Sequence, residues 1–240
     1  VLSGINIGEY KSKSGENFTD AVKMISELPI QSRLRISSIE PNLVTDEILD
    51  TIANSKVFCP HFHIPLQSGS DTILKKMNRR YDTEIFSNLI SRIHDRIENC
   101  CIGIDVICGF PGETDELFDE TYQLLKNTNF AYLHVFTYSD RDIAKASKFE
   151  NKIPKTVKKQ RTKLLRELSD SKKAEYHNKC IGSVARIIPE KYFADRQEIS
   201  AWTDNYVRVH FKCEKDLPKE YFNVRIISNE GEYCQAELLS

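Results

Sequence analysis

The sequence predicts an α/β fold in two parts, a partial (split) β/α barrel followed by a small all-β, OB-like barrel. Three observations predict it. Strand-like and helix-like stretches alternate five times between Val1 and Tyr138, which argues for a parallel sheet built of βαβ units. One face of those strands is repeatedly polar. From Cys180 onward helical spacing stops, and five short β-like runs follow, separated by polar or Gly/Pro turns.

Val1 to Ile7 reads as the first strand, ending near Gly8. From Thr19, the positions Val22, Met24, Ile25 and Leu28 describe one face of a helix that stops at Pro29. Arg33 to Glu40 is the second strand, closed by Pro41. Thr45, with Asp46 and Glu47 behind it, starts a helix carrying Ile48, Leu49 and Ile52. His61 to Gln67 is the third strand. Ser68-Gly69-Ser70 turns it into a short helix through Met77, and a longer helix runs from Thr83 to Ile97.

The stretch from Ile102 to Thr114 is the most informative. Its β-branched run (Ile102, Ile104, Val106, Ile107) breaks at Gly109-Phe110-Pro111-Gly112 and restarts as a helix at Thr114 that reaches Asn127. In α/β proteins such a junction lies at the carboxyl end of a strand, where ligands bind, and paired glycines let backbone approach them closely. An ordinary βα loop is the plain alternative. Ala131 to Tyr138 is the fifth strand.

Side-chain alternation separates the two architectures that five such units allow. His61, His63, Pro65 and Gln67 share one face of the third strand, opposite Phe62, Ile64 and Leu66. Gly103, Asp105 and Ile107 oppose Ile104, Val106 and Cys108. Arg33, Arg35 and Ser37 share a face of the second strand, and Tyr132, His134, Phe136 and Tyr138 one of the fifth. An open doubly wound sheet is covered by helices on both faces and is apolar on both. A partial barrel keeps helices outside and a wet, ligand-holding lumen inside, which fits the polar face better. A closed eight-strand barrel takes about 250 residues.

The formal charge of −1 excludes a uniformly basic nucleic-acid binder but not a local basic stripe. One stripe stands out. Pro154 opens a long helix to about His177, and residues 154–173 hold eight bases (among them Lys155, Lys158, Lys159, Arg161, Lys163 and Arg166) against two acids. That helix either lies along phosphates or presents a solvated face between two domains. Residues 179–237 carry nine bases and ten acids, so their net charge gives no support for RNA binding, and Trp202, Tyr206 and Phe211 read first as core and second as base-stacking platforms. The domain expectation is 1–150 for the partial barrel, 151–178 for the basic connecting helix and 179–240 for the β-barrel. No run is apolar enough for a membrane span and nothing resembles a signal peptide, so the expected location is cytoplasmic, with no membrane and no stable protein partner.

Seven scattered cysteines, none in Cys-x-x-Cys, read as reduced, buried thiols. His61 and His63 have the spacing of a metal pair, but with no carboxylate or third His nearby in sequence they read as lumen-lining hydrogen-bonding groups. No metal site follows from spacing. The chain begins without Met in what already reads as a strand, and is expected to be a fragment of a longer protein.

Three stretches together, Arg35-Ile36-Ser37-Ser38-Ile39-Glu40-Pro41, His63 to Asp71 running on to Leu74-Lys75-Lys76-Met77-Asn78-Arg79-Arg80-Tyr81, and Gly103 to Thr114, resemble the radical S-adenosylmethionine (SAM) methylthiotransferases. The Ser-Ser-Ile-Glu-Pro strand, the Gln-Ser-Gly-Ser-Asp turn and His134 to Ser139 are most similar to the branch that modifies N6-threonylcarbamoyladenosine in tRNA. The resemblance implies a radical-SAM partial barrel, here strands 2–6 of six, followed by a TRAM domain, a small β-barrel associated with RNA binding. It implies SAM and two [4Fe-4S] clusters as cofactors, the ligands of both lying in regions this sequence lacks, so the fragment alone is expected to be inactive. It implies the tRNA anticodon loop as partner, with methylthiolation at C2 of the adenine. Alternative acceptors are isopentenyl-adenosine in tRNA and a ribosomal-protein aspartate, and a non-catalytic RNA-binding module is the reading from another class.

Residue by residue, the resemblance places Gly4, Ser37, Ser38, Glu40, Gln67, Asp105, Phe110 and Pro111 at the cofactor. Phe110 and Pro111 fit a turn that packs against adenine. Lys75, Arg79 and Arg80 are candidates for the tRNA backbone, although a helix C-terminus favours such cations in any case. Lys158 and Lys159 join them from the basic helix. Arg141 matches a family arginine after the last strand, but Asp142-Ile143-Ala144 follows it where the family has a Gly-Thr or similar pair.

Overall fold

The computed structural model describes residues 1–140 and 149–239. Three parallel strands, β1 (His61–Gln67), β2 (Cys101–Cys108) and β3 (Tyr132–Thr137), lie side by side in that order. Helices α3 (Asp71–Lys76) and α4 (Thr83–Arg96) connect β1 to β2, and α5 (Asp115–Asn127) connects β2 to β3. Register sets Ile64 beside Ile104, and Asp105 beside both Pro65 and His134.

The two strands expected ahead of β1 are reduced. Val1 to Ile7 keeps a single bridge, Leu2 to Ile36; Asn6 is left-handed at φ 54°, and Ile7–Glu9 closes a 3₁₀ turn. Arg33 to Glu40 runs alongside β1 with parallel bridges only at Leu34–Phe58 and Ser38–His63. The segment from Leu34 to Ser38 is one residue shorter than its partner from Phe58 to His63, and the longer side holds Pro60, which has no N–H to donate. An extra residue and a missing donor break the ladder there.

Helices α1 (Phe18–Ser26) and α2 (Asp46–Asn54) start where their caps dictate. The Asn17 side chain accepts from the N–H groups of Thr19 and Asp20 while Asp20 accepts in return from Asn17 N–H, a reciprocal box that satisfies orphan donors. Thr45, Asp82 and Thr114 cap α2, α4 and α5 through Ile48, Ile85 and Leu117 N–H. The apolar faces these helices present all converge on one side of the sheet, where Phe62, Ile64, Leu66, Ile104 and Val106 meet Phe86, Leu89, Ile93 and Leu125. The other side carries His63, Asp105 and His134.

Helix α6 (Lys155–Cys180) packs on β3 and leads into a closed barrel of β4 (Val184–Phe193), β5 (Glu198–Thr203), β6 (Arg208–Lys212), β7 (Phe222–Asn229) and β8 (Cys234–Leu238), ordered β4-β5-β6-β8-β7. Ile187, Ile199, Val209, Phe211, Val224 and Ile226 fill it. Phe211 is therefore core and offers no ring to a base.

The barrel docks through its β5–β6 turn. Asp204 accepts from Arg33 Nη1 at 2.8 Å and Arg186 Nε at 2.6 Å, while Arg33 Nη2 donates to the Trp202 carbonyl at 3.0 Å. Tyr206, left-handed at φ 63°, stacks on Trp202 at 4.6 Å, meets His61 edge-on at 4.8 Å and lies under the Arg35 guanidinium at 4.3 Å. The two remaining candidate base platforms are thus engaged at this junction, by the amino-terminal end of the parallel strands.

Candidate functional site

The polar face of the sheet gathers residues from three strands. His63 Nε2 lies 2.7 Å from Asp105 Oδ1, and His134 Nδ1 lies 3.4 Å from the same oxygen. His63 and Asp105 are about one-fifth exposed and His134 half exposed, so the cluster is open to solvent but not fully hydrated. Gly103 makes the arrangement possible: a Cβ there would sit 2.4 Å from the Tyr132 ring, which lies across β2 and brings its hydroxyl to 3.0 Å from His61 Nε2. Burial, reinforced by Arg35 and the two other imidazoles, depresses His61 to about 3, so this ring is neutral. Its Nδ1 has no hydrogen-bond partner among the described residues.

At the carboxyl end of the strands, two turns are held from behind. Gly69 is pressed against α5, with its N–H donating to Thr121 Oγ1 at 3.0 Å; a Cβ would fall 2.6 Å from Thr121 Cα. Gln67, just before it, is left-handed at φ 66°, where the β1–β2 register shifts. The second turn, Gly109-Phe110-Pro111-Gly112, has both glycines at positive φ (79° and 82°), which favours glycine. Glu113 locks it: its carboxylate accepts from Gly109 N–H at 2.7 Å and from Arg161 Nη1 at 2.7 Å, while Arg161 Nη2 reaches Asp115 at 2.6 Å. Burial raises the Glu113 carboxyl, and the Gly109 N–H and Arg161 guanidinium oppose that shift.

The expected site residues fall in several places. Ser37 and Ser38 lie beside β1, where Ser38 bridges to His63, and Asp105 is at the centre of the polar face. Phe110 and Pro111 are buried in the glycine turn, Phe110 meeting Tyr138 edge-on at 5.2 Å. Glu40 is bound to Arg79 Nη1 at 3.0 Å. Gly4 is exposed at the other end of the chain's path, with only Ile7 near its missing side chain. Lys75 is exposed, and Arg80, also exposed, pairs with Glu9 at 2.5 Å. Lys159 is exposed, whereas Lys158 lays its stem across Gly109 and donates to the Tyr138 carbonyl at 3.1 Å. Arg141 and Asp142-Ile143-Ala144 lie outside the described residues.

Its place in the basic stripe makes Arg161 one of the surface bases of a phosphate-facing helix. The structure corrects that expectation: Arg161 is buried and committed to Glu113 and Asp115. The sequence signal for Glu113 is its position directly after the second glycine of the turn, but nothing in the sequence marks its partner forty-eight residues on.

Comparison with known proteins decides the family. The family model of the Radical SAM superfamily matches residues 11–125. Over 98% of the chain and 54% of the relative, the sequence is 38% identical to threonylcarbamoyladenosine tRNA methylthiotransferase MtaB of Bacillus subtilis. The chain belongs to the radical SAM methylthiotransferase family. A Thermotoga maritima protein of the same name is 32% identical over the whole chain and 55% of that protein. A tRNA-2-methylthio-N(6)-dimethylallyladenosine synthase of Clostridium botulinum is 33% identical over 95% of the chain and 51% of that protein. The chain spans about half the length of the curated relatives it matches.

This family's chemistry calls for an iron–sulfur cluster, and the described cysteines do not suit one. Cys59, Cys100, Cys101, Cys108, Cys180 and Cys234 are buried, and no three cysteines converge among the described residues. Burial pushes the Cys59 thiol up to about 11 and the Cys234 thiol up to about 12, the opposite of what a thiolate ligand needs.

Proposed function

We propose that this chain forms the substrate-holding wall and RNA-facing surface of a tRNA methylthiotransferase that adds a methylthio group to C2 of N6-threonylcarbamoyladenosine beside the anticodon. The 38% identity to the Bacillus subtilis threonylcarbamoyladenosine enzyme along 98% of the chain carries this reading. Bound SAM and clusters supply the radical and sulfur chemistry in this family, while protein residues position the reactants and exclude water.

In this reading, the glycine turn, packed around the buried Phe110 and Pro111 and covered at Gly109 by the Lys158 stem, shapes the end of the wall without itself touching the nucleoside. Gln67, Ser37 and Asp105 supply polar partners along the wall. The strand ends face one edge of α6, where five bases (Lys155, Lys158, Lys159, Lys163 and Arg166) against three acids (Asp140, Glu167 and Asp170) line a groove of about 970 Å³ beside Thr137, Tyr138 and Ser139. That groove is suited to a phosphate backbone. The small barrel, as a TRAM domain, is the second RNA contact, and the whole is expected in the cytoplasm; among the described residues no helix is long and apolar enough to cross a membrane.

The activity named for the Clostridium relative keeps dimethylallyladenosine as the competing acceptor. Mass spectrometry of tRNA nucleosides separates the two. The complete gene, placed in a host lacking its own methylthiotransferases, is expected to yield the methylthio form of threonylcarbamoyladenosine. Methylthio-dimethylallyladenosine alone, or neither product, would refute the assignment.

A further inference from the structure

We infer that His63, Asp105 and His134 form a binding site for one divalent transition-metal ion on the polar face of the sheet. Three donors from three strands meet there: His63 Nε2, Asp105 Oδ1 and His134 Nδ1, all within 4.8 Å of one another. No two are closer than 29 residues in sequence, so only the parallel register assembles them.

The donor set admits a metal beside the hydrogen bond that His63 and Asp105 already make at 2.7 Å. Metal–ligand bonds of about 2.0–2.2 Å at tetrahedral angles set ligand atoms about 3.4 Å apart. Asp105 Oδ1 already stands 3.4 Å from His134 Nδ1, a long distance for a hydrogen bond. The 2.7 Å gap to His63 would open by a little over half an ångström on a shared ion. The His63 and His134 rings lie 4.8 Å apart and are tilted by 60°, so they do not stack.

The surroundings favour a cation as well. Tyr132 packs on both imidazoles, at 6.5 Å and 5.2 Å between centroids, and limits their swing. The guanidinium of Arg35 lies over the Tyr206 ring, which packs on His61 and not on the three donors. His134 is half exposed, which leaves a fourth position open to water. Two imidazoles and one carboxylate select zinc, iron(II) or a neighbouring first-row ion over magnesium or calcium. The site shares Asp105 with the polar wall proposed above, but metal uptake is read without the radical reaction, and His134→Gln tests it apart from that wall.

Cobalt(II) is the probe, because its visible bands report geometry and its near-ultraviolet charge-transfer bands report thiolate ligands. The chelator-treated 240-residue chain is expected to take up one equivalent, with visible tetrahedral bands and no thiolate band. Asp105→Asn and His134→Gln should each weaken uptake roughly tenfold or more, while His61→Gln, whose ring is not a ligand, leaves it unchanged. Circular dichroism confirms that each variant folds, and His134, the most exposed of the three, is the substitution least able to disturb folding. Absence of saturable uptake, a thiolate band from the cysteines, or uptake equal to wild type in both ligand variants would overturn the site and leave a hydrogen-bonded cluster.

Discussion

His61 offers a prediction whose size follows from the structure. The ring is 6% exposed, bonded to the Tyr132 hydroxyl, packed edge-on against Tyr206 and held at a pKa of about 3 against an ordinary 6.5. A depressed folded pKa means the unfolded chain takes up a proton that the native one refuses. The stabilisation is complete above pH 6.5 and is lost as pH falls towards 3. One extra proton bound by the unfolded chain costs about 1.4 kcal/mol for each step of one in pH below 6.5, so the loss between pH 7 and pH 5 from this residue is about 2 kcal/mol. Replacing it by glutamine preserves a partner for Tyr132 and removes the titration. Urea unfolding at pH 7, 6 and 5, followed by circular dichroism, should show wild type losing about 2 kcal/mol more than His61→Gln across that range. Parallel losses in the two proteins would refute the reasoning, since the ring would then titrate equally in both states.

Arg161→Met leaves the Glu113 carboxylate buried without its cation and should cost about 3–5 kcal/mol, part of which the double variant with Glu113→Gln regains; thermal denaturation measures both. Gly69→Ala drives a methyl to 2.6 Å from Thr121 Cα and should cost about 1–3 kcal/mol, because backbone on one side and a packed helix on the other leave no room to yield; urea unfolding reads the loss. Asp204→Ala removes the acceptor shared by Arg33 and Arg186, and should expose the junction between α6 and the small barrel to limited proteolysis while each part stays folded.

Local chemistry made much of this fold legible. Caps at Thr45 and Thr114 marked helix starts, and the alternation in His61 to Gln67 put Phe62, Ile64 and Leu66 on the core face that the structure shows, although on the opposite face His61 and Pro65 are buried and only His63 and Gln67 keep partial exposure. The five β-runs after Cys180 correspond to five strands of a closed barrel, of which β4 continues through Pro189 to Phe193 by means of a bulge between Pro189 and Lys191. Long-range pairing was not legible. Whether Arg33 to Glu40 pairs as a full strand depends on a partner segment in which Pro60 and one extra residue interrupt the ladder. The burial of Arg161 depends on Glu113, forty-eight residues away. The carboxylate and second imidazole that His63 lacks in its own stretch arrive from neighbouring strands, so sequence proximity pointed away from the cluster.

The central claim is that the polar face of this parallel sheet is the wall against which the adenosine is modified. Asp105→Asn, introduced into the complete protein, keeps the side chain's shape and removes the charge at the middle of that face. With folding and tRNA binding confirmed, mass spectrometry of tRNA nucleosides should find the methylthio product reduced at least tenfold. An undiminished yield would place the chemistry elsewhere.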